Sequence, residues 1–145
     1  MTGGRVKRLQ KLLGNERFFL TYGDGISNVN LKKLLNFHKK GKKIATLTFV
    51  RPPARFGAIK IKNNYVTYFK EKSRLDEGWI NGGFFIFEPS IFKYIKDDKT
   101  FLEKEPLQNI SKNKELLGFK HDGFWQCMDT KRDKEILEKN FYKFK

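Results

Sequence analysis

Two periods of apolar and polar residues alternate along this chain, and the points where they switch predict its elements. Phe18-Phe19-Leu20-Thr21-Tyr22 is a short apolar run ending at Gly23-Asp24-Gly25, which predicts a strand running into a loop. Leu31, Leu34 and Leu35 then recur at the spacing of one helical face, with Asn28 or Asn30 available as cap and Gly41 as stop. The run from Ile44 to Val50 is apolar throughout, as in a strand covered on both faces. A strand, helix, strand order of this kind predicts a parallel α/β sheet.

Beyond Pro52-Pro53 the pattern becomes that of antiparallel structure. Ala58 to Lys62 alternates, Asn63-Asn64 supplies a turn and Tyr65 to Lys70 resumes, which predicts a hairpin. Trp79 to Phe87 reads as another apolar strand, with Gly82-Gly83 inside it as a bulge or a place of close ligand approach. Thr100 with Glu103 predicts a capping box for a helix that Pro106 interrupts or offsets. Leu116 to Phe119 and Phe124 to Cys127 read as extended. Thr130 with Asp133 opens a last helix that buries Ile136 and Leu137.

Composition narrows the class. With 145 residues, 39% hydrophobic and 15% aromatic, the chain can bury a core and fits one domain. No apolar run is long enough for a membrane-spanning helix, and the N-terminus lacks the apolar stretch of a cleaved signal peptide. Cys127 is the sole cysteine, so no internal disulfide is expected and a reducing cytoplasm is the simplest compartment. The net charge of +15 raises nucleic acid as a partner. Only seven of the 31 basic residues are Arg and the lysines are dispersed, so a solvated Lys-rich surface is preferred over a groove-reading one.

Several places could carry chemistry. Ligands of open α/β sheets bind beyond the carboxyl ends of strands. Gly23-Asp24-Gly25 has a carboxylate for a magnesium ion between glycines that let backbone approach phosphate. An Asp-Gly turn without a ligand is the alternative. Asp129 follows an aromatic extended run and precedes a helix, and is either a second metal carboxylate or an N-cap. Glu71-Lys72 at a strand end could meet a sugar hydroxyl and a sugar phosphate, and the amide of Asn81 suits a sugar hydroxyl. Arg51 and Arg55 flank a rigid Pro-Pro turn, where either could meet phosphate. His38 and His121 have no partners at metal-ligand spacing, so no zinc site is expected.

Six segments in this order resemble the sugar-1-phosphate nucleotidyltransferases, in their glucose-1-phosphate cytidylyltransferase branch. They are Thr2-Gly3-Gly4-Arg5-Val6-Lys7-Arg8, Thr21 to Gly25, Val50 to Gly57, Phe69 to Lys72, Glu77 to Phe85 and Gly123 to Thr130. The resemblance implies a Rossmann-like mixed, mainly parallel sheet of the GT-A-like type, with residues 1–145 forming one partial catalytic domain. It implies attack of α-D-glucose 1-phosphate on the α-phosphorus of CTP, giving CDP-glucose and pyrophosphate for surface polysaccharide synthesis. Asp24 and Asp129 would hold Mg²⁺. Gly4, Arg5 and Gly23 would meet the nucleotide. Glu71, Lys72, Asn81, Gly82 and Arg55 would meet the sugar phosphate, and homo-oligomers are expected. The family's front βα units and their Gly-rich triphosphate loop have no counterpart here, a difference on the order of 100 residues. Weak CTP binding and impaired transfer are therefore expected, and the alternatives are an inactive fragment of that enzyme or a basic nucleic-acid-binding module.

Overall fold

A computed structural model describes residues 1–53, 58–71 and 78–140. They divide into two compact units. The first comprises residues 1–22, 30–48 and 83–120, and the second residues 23–29, 49–82 and 121–145.

The first unit opens with two helices that sequence periodicity did not announce, α1 (Thr2–Arg8) and α2 (Gln10–Leu13). Strand β1 (Phe18–Thr21) follows, at the predicted place. Helix α3 (Leu31–Gly41) is capped by Asn30, whose side chain accepts from the Lys33 N–H. The residue that leaves the helix in left-handed geometry is Lys42, at φ 50°, rather than Gly41. Gly41 stays helical, and a Cβ there would overlap Leu117 Cδ1. Strand β3 (Ala45–Val50) is buried or half-buried along its length, as its unbroken apolar run required.

The strand pair of the second unit's ladder is β2 (Gly25–Ser27) with β8 (Trp125–Cys127), and its hairpin is β4 (Ala58–Lys62) with β5 (Tyr65–Lys70). Both turn residues of that hairpin, Asn63 and Asn64, have positive φ, the backbone twist two-residue hairpin loops need. The remaining strands are β6 (Ile80–Phe87) and β7 (Leu116–Lys120), with helix α4 (Glu105–Lys112) before β7 and α5 (Lys131–Asn140) last.

Four strands form the main sheet in the order β1-β6-β3-β7. β6 runs antiparallel to β1, with Phe18 opposite Phe87 and Thr21 opposite Phe84. The Glu88 N–H bonds Ile44 O, which puts the end of β6 beside the start of β3, so this pair is antiparallel too. Ala45 and His121 donate to Glu115 O and Phe49 O respectively, so β3 and β7 start together, end together and are parallel. Three strands thus share one direction and β6 opposes them. β1 and β3 are parallel as predicted but not adjacent, because β6 lies between them.

The core of the first unit is aromatic. Phe85 and Phe87 are fully buried on one face of β6 and stack on each other with ring centroids 5.4 Å apart. Phe18 packs against Phe87 and Phe92, and Val6, Ala45, Ile91, Ile95, Leu102, Leu107 and Ile110 complete the cluster. Burying one such side chain stabilises the fold by ~1.5–3 kcal/mol.

The predicted capping box at Thr100 and Glu103 does not form. Thr100 Oγ1 instead donates to Asp97 Oδ1, and Glu103 accepts from Thr2 Oγ1 and Tyr22 OH. α4 begins at Glu105 with Pro106 in its first turn, where a missing N–H costs nothing. The Thr130–Asp133 box does form. Asp133 Oδ2 accepts from the Thr130 N–H (3.0 Å) and hydroxyl (2.7 Å), and the Asp133 N–H returns to Thr130 Oγ1. Leu137 is buried and Ile136 half-buried.

Candidate active site

Asp24 and Asp129 sit at one end of the same two-stranded ladder. β2 and β8 pair antiparallel, with Gly25 opposite Cys127 and Ser27 opposite Trp125. One step outward the Met128 N–H donates to Asp24 O at 2.9 Å, which leaves Asp129 across from Gly23. Both carboxylate-bearing residues are exposed. A long-range pairing thus brings together two acids more than a hundred positions apart, which spacing along the chain cannot reveal.

The segment bearing Asp129 is held on both sides. Asp133, 5% exposed, takes Thr130 through one oxygen and Gln126 Nε2 through the other at 3.0 Å. Thr130, not Asp129, therefore occupies the capping position of α5, which leaves the Asp129 carboxylate outside the cap. Asp129 Oδ2 instead accepts from Cys127 Sγ at 3.0 Å. The loop before β8 is as closely tied. Phe124 O accepts from Asn28 N, Ser27 Oγ and His121 Nε2, and Asn28 Oδ1 accepts from the Phe124 N–H. A carbonyl only accepts, so His121 carries its proton on Nε2. Asn28 therefore anchors this loop rather than capping α3.

Asn81 and Gly82 reach the same unit through Trp125, whose indole N–H donates to Gly82 O at 2.7 Å. The candidate sugar-binding pair is thereby fastened to the strand that leads to Asp129. Trp79 is sandwiched in aromatic and cationic contacts, edge-on to Phe49 at 5.0 Å and under the Arg51 guanidinium at 4.5 Å. Cation–π contact of this kind holds Arg51 along the face of an indole, a partnership the sequence did not suggest. Glu71 stands exposed just past β5. Arg55 and Lys72 lie outside the described residues.

Gly4 and Arg5 belong to the first unit, in α1. Arg5 is exposed. Gly4 is buried, its N–H donates to Thr100 O, and a Cβ on it would overlap the Asp98 backbone. Its lack of a side chain thus has a packing cause. Beside it the sequence reading missed a polar cluster. Glu103 receives Tyr22 OH at 2.6 Å and Thr2 Oγ1 at 2.7 Å. Burial pushes the Glu103 carboxyl up, and these two hydrogen bonds, with a third from its own backbone N–H, together more than offset that, so it sits below the ordinary carboxylate range. The Tyr22 ring lies against Gly83, whose φ of +74° and lack of Cβ leave room for it.

The model of the nucleotidyl transferase family matches residues 3–131. The chain belongs to the nucleotidyl transferase family. Among nucleotidyl transferases it is 48% identical over 139 residues to the glucose-1-phosphate cytidylyltransferase of Salmonella typhimurium, covering 95% of this chain and 54% of that protein. It is 40% identical over 141 residues to the probable glucose-1-phosphate cytidylyltransferase of Bacillus subtilis, covering 97% and 54%. The mannose-1-phosphate guanyltransferase of Hypocrea jecorina is 33% identical over 94% of this chain, which covers 39% of it. The chain spans about half the length of the curated cytidylyltransferases it matches.

Solved structures agree on the fold. HddC from Yersinia pseudotuberculosis superposes with a TM-score of 0.69 at 21% identity, over 97% of this chain and 62% of that one. A UDP-glucose pyrophosphorylase complexed with UDP-glucose gives 0.67 at 18%, over 99% and 62%. The mixed sheet is thus that of the nucleotidyl transferases, although two of its three neighbouring pairs are antiparallel because β6 lies between β1 and β3.

Proposed function

We propose that this chain serves nucleotidyl transfer from CTP to α-D-glucose 1-phosphate, giving CDP-glucose and pyrophosphate. The observation that carries the reading is the 48% identity over 139 residues to a glucose-1-phosphate cytidylyltransferase. The position of Asp24 and Asp129 on one ladder end supports it.

Those two residues fit a magnesium ion. They offer hard carboxylate oxygens, and Mg²⁺ is commonly held by one or two carboxylates with substrate phosphates and water filling its other positions. When bound, it would neutralise charge on the transferring phosphoryl group.

The chain's own residues orient the reactants. Gly23 has open space where a Cβ would be, so backbone can approach a phosphate there. The Asn81 side chain can donate to and accept from sugar hydroxyls, and its strand is pinned through Gly82 and Trp125. Glu71 and Lys72 would meet the sugar phosphate end, with Arg55 supplying a guanidinium. Catalysis here is positioning and charge stabilisation without a covalent intermediate.

The test is pyrophosphate release by the purified chain with Mg²⁺, glucose 1-phosphate and each nucleoside triphosphate in turn. Release with CTP is expected, lowered by Asp24→Asn or Asp129→Asn about 10²-fold or more. Silence from soluble, folded chain would overturn the reading for this chain and leave an inactive member of the family.

A further inference from the structure

Independently of that reaction, we propose that the cleft at the end of α3 binds a small phosphate-bearing anion. The cleft has a volume of about 340 Å³, at the small end of ligand sites, and lies wholly within the first unit. It opens at the amino ends of β3 and β7, between the last turn of α3 and the segment after β6. None of its residues belongs to the Asp24–Asp129 constellation.

The charges that line the cleft define the class of ligand it takes. The cleft holds two carboxylates, and each is already matched. Glu88 pairs with Arg17 at 2.6 Å and receives His38, while Glu115 pairs with Lys43 at 3.0 Å. Lys39 and Lys42 also line it, and among the described residues neither has a carboxylate partner. The carbonyl end of α3 offsets about half a charge, so more than one positive charge is left over. Lys42, in left-handed geometry at φ 50°, ends the helix and turns the chain so that Lys42, Lys43 and Ile44 follow one another along the cleft. The Ser90 hydroxyl adds a neutral donor.

Among the described residues no Phe, Tyr or Trp lines the cleft, and the His38 imidazole that does is 1% exposed and held between Thr46 and Glu88, so no open face there stacks a base; the apolar contribution comes from Ile44. Two unmatched ammonium groups with a hydroxyl and a guanidinium suit a dianionic phosphomonoester or phosphate itself. They do not need a nucleotide.

The experiment titrates the full chain at fixed ionic strength with inorganic phosphate and, separately, with glucose 6-phosphate, followed by calorimetry. Glucose 6-phosphate has no role in the transfer proposed above. The variants are Lys39→Gln/Lys42→Gln, and Lys96→Gln/Lys99→Gln as an equal loss of charge elsewhere. All four lysines are exposed, so the fold is expected to survive, and a melting curve checks it. Saturable one-site binding is expected, weakened ~10-fold or more by the first pair and less than ~2-fold by the second. The probe that binds more tightly distinguishes free phosphate from a sugar phosphate. Asp129→Asn should leave this binding unchanged, which separates it from the transfer reaction. The absence of saturation with both probes, or equal weakening by the two lysine pairs, would overturn the site.

Discussion

A Cβ placed on Gly4 would overlap the backbone of Asp98, and that backbone cannot give way easily. Asp98 is fixed by the N-terminal ammonium on its carbonyl and by the Arg8 guanidinium on its carboxylate. Alanine would gain about 1 kcal/mol in helix propensity over glycine, but overpacking against fixed backbone costs ~1–3 kcal/mol. Gly4→Ala should therefore lower stability by up to ~2 kcal/mol, read as a lower urea midpoint. A raised midpoint would show that α1 shifts freely. A single residue also shows what a sequence hides. The family resemblance gave Gly4 to the nucleotide, but whether a close approach there is a ligand's or the chain's own turn depends on which distant segments meet. Asp24 and Asp129 were legible as acids at strand ends for the same local reasons. Their meeting on one ladder, and the Trp125–Gly82 bond, are products of long-range pairing.

At the scale of elements, Asp133 does the work of two contacts at once. It caps α5 through Thr130 and fastens Gln126 of β8. Asp133→Ala should cost ~2–4 kcal/mol, from a lost cap and a buried Gln126 amide that keeps the Cys127 carbonyl but loses the other of its two acceptors, as measured by urea unfolding. In the transfer proposed for this chain it should also lower pyrophosphate release, because the segment carrying Asp129 is anchored on either side by this carboxylate. Full stability in Asp133→Ala would sink this account. Elements with local signals were readable: α3 from its leucine spacing and Asn30, the β4–β5 hairpin from Asn63-Asn64, β3 from its unbroken apolar run. α1 was not, because Thr2–Arg8 contains one large apolar residue, Val6, and is held by tertiary contacts such as Lys7 Nζ on the Ile95 carbonyl at 2.6 Å. The start of α4 was misplaced because Glu103 is engaged by Tyr22 and Thr2, both far off in sequence.

At the scale of the whole molecule, stability should depend on pH through His38. Its ring is 1% exposed, with Nδ1 2.8 Å from Thr46 Oγ1 and Nε2 3.1 Å from Glu88 Oε1. A carboxylate only accepts, so Nε2 carries the proton and Nδ1 accepts from Thr46. Burial lowers the His38 pKa; the hydrogen bond and charge of Glu88 oppose this, Arg17 adds to it, and the net shift is downward. Below about pH 6.5 the unfolded chain takes up a proton that the folded one resists. The stability due to neutral His38 is therefore fully present above that pH and is lost as pH falls toward the folded value. Urea unfolding from about pH 8 to pH 5 should show this decline, and His38→Gln should flatten it; an unchanged slope in the variant would count against the assignment. The single thiol of the sequence donates to the very carboxylate that would hold magnesium. A thiol-directed fluorophore would attach at one defined place without engineering, and its emission would report the arrival of a cation at Asp129 directly.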